Sequence, residues 1–251
     1  MKPNHRVGIS VFGLFIGWSL LSAINSQYFP SPVTIAVLAV ELVVEGDVRH
    51  SAAYHIGVTF GRVLLATAIS LSLAVGIGVA MYLNESVAKA VEAWLPIWMT
   101  PPDVVVILIV MVIFGFTTPS IVIAVSFVCT PFALVSIWEG LQDITPELVE
   151  MGETFDAGPG MMWRFVYLPY VGSYIFASLR NLFGMTWKVA VIGEVFGITN
   201  GVGARIRYWF LQSNIEEVVA YTALFTIVVL FIEYGVLRPV EERAFKWRTT
   251  A

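Results

Sequence analysis

The stretch ELVEMGETFDAGPGMMWRFVYLP, residues 147–169, is the longest polar interruption between strongly apolar segments in the second half of the chain. It predicts two short helices joined by a hinge, because the Gly-Pro-Gly sequence at 158–160 is a turn signal that a regular helix does not continue through. A second helical turn is expected over 161–167, ending at Leu168-Pro169, where an apolar run begins. The stretch is therefore interpreted as a structured loop between two apolar segments.

Composition places the chain in the membrane. Of its 251 residues, 58% are hydrophobic and 13% are charged, whereas a soluble domain carries about 25% charged residues. Residues 1–251 are therefore expected to form a single membrane domain of helices, with no room for a second, soluble domain.

Several classes of function are disfavoured by what the sequence does not contain. There is no Walker A sequence and no glycine-rich dinucleotide fingerprint, so any ATP hydrolysis is expected from a partner. A net charge of −4 at low charge density argues against nucleic acid. The single Cys129 and the three histidines form no metal-ligand pattern, so no cofactor is expected in this chain.

Apolar segments of membrane-spanning length predict about six transmembrane helices. A surface helix is expected over 33–45 and a polar loop over 197–217. Prolines 101 and 102 predict a break in the third span, and Arg62, near the start of the second, is expected to snorkel to the membrane interface. The expected spans are 7–25, 57–83, 93–114, 120–138, 171–196 and 218–237, with a cytoplasmic loop over 139–170.

The first apolar segment leaves an alternative open. Two basic residues precede it and Ser22-Ala23 offers small residues, so it could instead be a signal peptide. The distribution of Lys and Arg favours the spanning interpretation with both termini in the cytoplasm. In that orientation eight basic residues lie in cytoplasmic segments and three in external ones. The same orientation puts the 139–170 loop in the cytoplasm.

The loop resembles the cytoplasmic EAA loop of permease subunits of ABC importers. Glu150 takes the position of the motif's Glu, Met151-Gly152 replace its Ala-Ala, and Val166-Tyr167-Leu168-Pro169 close it at the expected spacing. The chain departs from the motif at Asp156, where the family usually has glycine. The resemblance implies the fold of a type I importer permease.

A wider resemblance covers nearly the whole chain and points to the nitrate/sulfonate/taurine branch of these permeases. It implies a homodimer in the lipid bilayer, two cytoplasmic ATPase subunits that bind ATP and Mg, and an extracytoplasmic solute-binding protein. The residues that carry it are Phe29-Pro30-Ser31-Pro32, Thr59-x-x-Arg62, Pro101-Pro102, Phe114-Gly115, Leu179-Arg180, Trp187, Glu194, Gly201-Val202-Gly203, Glu241-Glu242-Arg243 and Trp247-Arg248.

The loop is expected to transmit ATPase motion to the spans. Its glutamates repeat at three-residue spacing and can meet basic groups on a partner, while exposed Met and Phe side chains offer apolar anchors. Gly152 is expected to allow close approach of the ATPase, and Asp156 to keep the left-handed turn of the family's glycine. The expected coupling residues are Glu147, Glu150, Met151, Gly152, Phe155, Asp156 and Ala157.

Ionisable residues inside the fifth span suggest a solute path. Arg180, Trp187 and Glu194 fall on one helix face and Lys188 lies to the side. Arg180 and Glu194 are about 21 Å apart along the axis, too far to pair. These four residues are interpreted as lining a path for an anionic or zwitterionic solute. The alternatives are that Arg180 snorkels and that Lys188 or Glu194 pairs with another subunit.

Other classes of membrane protein remain as alternatives. A secondary transporter or channel without an ATPase should show matching broken spans in two halves, yet proline breaks occur in spans three and four only. A membrane-embedded enzyme needs clustered catalytic groups, which the spans lack. Within ABC importers, a methionine-type or phosphonate-type permease is the second candidate. The sequence does not identify the solute.

Overall fold

The structure, a computed structural model, describes residues 5–25, 28–44, 51–144 and 146–244. Within these ranges the chain is helical and contains no strand, as predicted. The helices are α1 His5–Ile24, α2 Pro32–Val44, α3 Ala52–Leu83, α4 Glu85–Met99, α5 Asp103–Phe114, α6 Thr118–Gln142, α7 Pro146–Thr154, α8 Pro159–Met162, α9 Leu168–Gly197, α10 Val202–Leu211, α11 Ile215–Ile232 and α12 Arg238–Ala244. Two π-helical turns, Trp163–Tyr167 and Glu233–Leu237, join α8 to α9 and α11 to α12.

Among the described residues, three helices are long and apolar enough to cross a membrane, and the number rises to five if each of two bent helix pairs counts as one span. The long helices are α3, α6 and the α11–α12 rod, and the bent pairs are α4–α5 and α9–α10. The first expected span, 7–25, is not among these five. It coincides with α1, whose apolar part Phe12–Ile24 is shorter. The chain is therefore a multi-pass helical bundle.

The core of the bundle is formed by α3, α6 and α9. From α6, Ile121, Val125 and Leu134 are fully buried, and they belong to one apolar cluster with Val63 and Ala74 of α3. Gly78 of α3 lies close to α6, where an added Cβ would be 3.1 Å from the Ile137 side chain. This glycine therefore serves packing within the chain.

The break predicted in the third expected span, 93–114, is confirmed. The span is divided between α4 and α5, which meet at an angle of 94°. The break falls at Pro101-Pro102, where two successive residues lack the N–H that a continuing helix requires. Pro96, by contrast, lies inside α4.

The expected helix end at Leu168-Pro169 is wrong. The chain stays helical from α8 into α9 because the π-helical turn shifts the bonding pattern, so that the N–H of Leu168 donates to the carbonyl of Trp163, five residues back. The same arrangement precedes Pro239, where the N–H of Arg238 donates to the carbonyl of Glu233. Each π-helical turn thus lets a helix continue through a proline that lacks an N–H.

Several predicted segment boundaries differ from those in the structure. Helix α10 occupies much of the expected polar loop 197–217, and the last span continues beyond 237 into α12. Helix α2 confirms the helix expected over 33–45. Ser51 caps α3 by accepting a hydrogen bond from the N–H of Tyr54, so that α3 begins earlier than the expected position 57.

Candidate functional site

The loop predicted to couple to a partner is a compact helical hairpin of α7 and α8. Helix α7 ends in the left-handed turn expected at Asp156, whose φ is +53°. The N–H of Ala157 donates to the carbonyl of Gly152 over 3.0 Å, which closes the helix end in the Schellman pattern. The prediction that Asp156 preserves the family's turn is confirmed.

Gly152 faces the interior of the hairpin and not, as expected, the surface that a partner would approach. It is buried against Met162 of α8, and a Cβ at this position would overlap the Met162 side chain. Its missing side chain therefore lets the two short helices pack against each other inside the loop. A bulky residue here would disturb the loop itself, so this position does not distinguish docking from folding.

The outer surface of the hairpin is acidic and apolar. Glu147 and Glu150 are exposed on α7, and Met151 and Met161 expose about half of their surface. Phe155 is 79% exposed at the tip of α7. Large apolar side chains held outward on a structured, charged loop are typical of a surface that a partner covers.

Two tyrosines join the two helices that flank the hairpin. The hydroxyls of Tyr170 and Tyr174, at the start of α9, both donate to Asp143 at the end of α6. Gly140 lies so close to Tyr174 that a Cβ would overlap its ring. The two ends of the loop are thus held close together.

The predicted path residues do not all lie in one place. Arg180, Trp187 and Lys188 line an open groove between α9 and the last helical rod, which contributes Val229 and Glu233. We call it the α9–α11 groove. Glu194 lies outside this groove.

Arg180 is neutralised inside its own chain. Its Nε is 2.5 Å from a carboxylate oxygen of Glu233, and its Nη1 is 3.0 Å from Glu241. This double pair ties α9 to the π-helical turn and to α12, so Arg180 holds two elements together at the edge of the groove. Arg180 therefore does not snorkel, and its positive charge is paired.

Lys188 is the exposed cation of the groove. Its Nζ lies 5.8 Å from the ring centroid of Trp187, and that ring packs edge-on against Phe225 of α11. Among the described residues no carboxylate forms an ion pair with Lys188. The groove therefore presents one positive charge beside an aromatic ring, which suits an anionic group.

A buried ion pair is the feature that the sequence analysis missed. Arg62 is 2% exposed and Glu194 is fully buried, with 2.5 Å between Nη1 and Oε1. The expectation that Arg62 snorkels is wrong, because its guanidinium is buried and both of its terminal nitrogens bind the acid on α9 and two neighbours. Arg62 also donates to Thr118 at the start of α6 and to Asn200 after α9.

The same acid organises the turn between α9 and α10. Glu194 accepts hydrogen bonds from the Thr59 hydroxyl and from the N–H of Gly203, at 2.9 Å. At the N-terminus of a helix, backbone N–H groups favour a negative charge. The N–H groups of Gly201 and Val202 donate to His55 and Thr59 of α3.

Glycine is required where this turn meets Glu194. Gly201 has a φ of +106°, and a Cβ there would lie 2.4 Å from the Glu194 carboxyl group. A Cβ at Gly203 would overlap the carbonyl of Val191. The spacing of His55, Thr59 and Arg62, which places all three on one face of α3, is the signal that would have revealed this network.

The chain is similar to known proteins in sequence and in fold. Residues 72–239 match the family described as binding-protein-dependent transport system inner membrane component. The putative aliphatic sulfonates transport permease protein of Bacillus subtilis (strain 168) is 22% identical over 92% of this chain and 82% of its own length. The taurine transport system permease protein of Escherichia coli (strain K12) is 22% identical over 96% and 88%.

Solved structures share the fold. A chain of the MetNI methionine ABC transporter, in inward-facing conformations, superposes with a TM-score of 0.66 at 17% identity, covering 76% of this chain and 94% of its own. A chain of an amino acid ABC transporter crystallised with histidines gives 0.62 at 18% identity, covering 83% and 96%. With the family match spanning most of the bundle, the chain belongs to the inner membrane components of binding-protein-dependent transport systems, the permease subunits of ABC importers.

Proposed function

We propose that two copies of this chain form the translocation path of an ATP-driven importer. Two cytoplasmic ATPase subunits would bind ATP and Mg and hydrolyse the ATP, and an extracytoplasmic binding protein would deliver a small anionic or zwitterionic solute. The observation that carries the proposal is the α7–α8 hairpin, a structured acidic loop with an exposed Phe155, which is continuous with α9 and whose two flanking helices, α6 and α9, are joined by hydrogen bonds.

The coupling surface would consist of the exposed residues of the hairpin. Glu147 and Glu150 would face basic groups of the ATPase, and Met151 and Phe155 would enter an apolar groove on it. Gly152, Asp156 and Ala157 would act by shaping the hairpin, since they form its internal contact and its helix end. Motion of the ATPase would then move α6 and α9 together.

The path would run along the α9–α11 groove. Trp187 and Lys188 would contact the solute, and Arg180 would keep the groove's edge in shape through Glu233 and Glu241. Glu194 would act indirectly, by fixing the turn to α10. The groove is open on one side in the single chain, which supports a second copy as the opposite wall.

Relatives support the class of solute. Two of them are named for the transport of taurine and of aliphatic sulfonates, both of which carry a sulfonate anion. A groove with one exposed lysine and an aromatic neighbour suits such a group. We propose a small sulfonate or a similar oxyanion as the solute.

The proposal is tested by purifying this chain with its ATPase and binding protein and measuring uptake of radiolabelled taurine and 2-hydroxyethanesulfonate into proteoliposomes. ATP-dependent uptake that requires the binding protein is expected. Uptake without ATP, driven by an ion gradient, would instead support a secondary transporter. ATP-dependent uptake of neither probe, with ATP hydrolysis still stimulated by the binding protein, would overturn only the class of solute.

A further inference from the structure

A second cavity lies between α6 and α9, next to the α9–α11 groove. It has a volume of about 240 Å³ and is walled partly by apolar side chains of both helices. Three polar residues also line it, namely Ser136 from α6 and Ser178 and Asn181 from α9. In the centre of a membrane bundle such polar groups need hydrogen-bond partners.

Ser178 has no hydrogen-bond partner for its hydroxyl among the described residues. Its side chain is 1% exposed. Neighbouring hydroxyls in the same two helices behave differently. Ser126 donates to the carbonyl of Val122 over 2.7 Å, and Thr186 donates to that of Leu182 over the same distance.

Ser178 could make the same hydrogen bond as Ser126 and Thr186 but does not. It lies inside α9, where a serine can donate to the carbonyl four residues earlier. A buried hydroxyl without a partner is unfavourable, and in native proteins it usually marks a bound water or a functional contact. Polar residues inside a membrane bundle are frequently functional.

The cavity adjoins the groove. Asn181 and Met185 line both. Ser178, Asn181, Met185 and Lys188 follow one another at spacings of three, four and three residues, so they form one stripe along α9. From Lys188 the stripe leads past Met185 to the polar Asn181 and Ser178 of the cavity, over about two to three helical turns of α9.

We propose that Ser136, Ser178 and Asn181 form a hydrogen-bonding site where the transported solute pauses inside the membrane. This inference rests on the proposed function of the groove as the path. The site would take a small solute that carries an oxyanion, such as a sulfonate or carboxylate, through donated O–H and N–H groups.

The chemistry of the three residues suits a site of passage. Hydroxyl and amide groups donate hydrogen bonds to oxyanion oxygens without an opposite charge, so they hold the anion less firmly than a cation does. Conduction requires binding that is favourable enough for entry and weak enough for release. Lys188 would supply the attraction, and the neutral site would supply recognition.

The first experiment compares Ser178→Ala with Ser126→Ala in the complete importer complex, using taurine uptake and thermal unfolding. Ser126→Ala removes a buried serine whose hydroxyl is already satisfied, so it should lower Tm and keep uptake within twofold of wild type. Ser178→Ala should keep or raise Tm and lower uptake at subsaturating taurine by about fivefold or more. Wild-type uptake in Ser178→Ala, or a fall in Tm with a parallel loss of uptake, would overturn the proposal.

The second experiment needs no transport. Ser136→Cys in the purified complex is treated with anionic 2-sulfonatoethyl methanethiosulfonate or its cationic trimethylammonium analogue. The control is the wild-type chain, whose only cysteine, Cys129, is fully buried on the same helix. One label per chain in Ser136→Cys and none in wild type are expected, with the anionic reagent reacting several times faster.

No labelling of Ser136→Cys, or equal rates for the two reagents, would overturn the oxyanion site. Failure of the proposed importer function has a separate signature, because it would appear as ATP-independent uptake by the wild-type complex. The two conclusions can therefore fail independently.

Discussion

Arg62 on α3 and Glu194 on α9 form an ion pair with 2.5 Å between Nη1 and Oε1, although 132 residues separate them in the sequence. The pair joins α3 to α9, and through Thr118 and Asn200 it also reaches α6 and the turn before α10. Four helices are thus held at one end of the bundle. The opposite end carries the α7–α8 hairpin, which projects apolar side chains for a partner.

Breaking this pair should destabilise the protein strongly. Arg62→Met leaves the Glu194 carboxylate buried without a cation, which costs about 3–5 kcal/mol. The double variant Arg62→Met/Glu194→Gln should recover part of that loss, because the uncompensated charge is gone. Thermal unfolding in detergent is the measurement.

The matched control for this pair is Lys89→Ala, which removes an exposed ion pair with Glu85 on α4. Exposed pairs contribute little, so its Tm should equal that of wild type. If Arg62→Met unfolds at the same temperature as Lys89→Ala, the buried pair does not hold the bundle end.

Gly201→Ala should disrupt the turn between α9 and α10. The backbone there has a φ of +106°, and the new Cβ would collide with the Glu194 carboxyl group. We expect a marked fall in Tm or in the yield of folded protein, measured by size-exclusion chromatography. Gly172→Ala is the control, since a Cβ at Gly172 meets nothing within 4 Å. It should be neutral or stabilising by about 0.5–1 kcal/mol, and equal effects of the two changes would contradict this account.

Substitutions of Asp156 test the left-handed turn that ends α7. Because its φ is +53°, Asp156→Gly should keep the turn and retain the ATPase on the purified permease. Asp156→Val places a β-branched residue in a left-handed conformation, at a cost of about 1–2 kcal/mol or more, and should lower ATPase retention. Retention by both variants at the wild-type level would show that the turn does not matter for docking.

Lys188→Ala tests the charge in the groove. Losing one exposed cation near an anionic solute should reduce taurine uptake by about fivefold, equivalent to about 1 kcal/mol. Assembly with the ATPase should be unchanged, because Lys188 lies in the groove and makes no ion pair among the described residues. Uptake equal to that of Lys89→Ala would remove Lys188 from the path.

The general fold could be predicted because composition and apolar length determine membrane insertion, and because the EAA-like loop has a recognisable spacing. The left-handed turn at Asp156 was also predictable, since few residue types tolerate that conformation. The continuation of helices past prolines was harder to predict from the sequence. The π-helical turns before Pro169 and Pro239 let the helix pass a residue that normally interrupts it.

The pairing of charges inside the membrane could not be predicted from single residues. Arg62, taken alone near a helix end, has the features of a snorkelling side chain, and its partner lies on a distant helix. Arg180 likewise pairs with Glu233 and Glu241, which only the packing of α9 against the last helical rod brings close. Such contacts depend on tertiary structure. The face of α3 that His55, Thr59 and Arg62 share indicates a polar network but does not identify the partner on α9.

The claim that the α7–α8 hairpin couples the permease to its ATPase is tested most directly by solute-stimulated ATP hydrolysis in the reconstituted complex. Phe155→Asp places a charge at the exposed tip of α7, and Phe210→Asp makes the same change at an exposed position on α10. The account predicts that Phe155→Asp abolishes the stimulation by loaded binding protein and releases the ATPase, while Phe210→Asp retains the ATPase. Wild-type stimulation and ATPase retention in Phe155→Asp would contradict it.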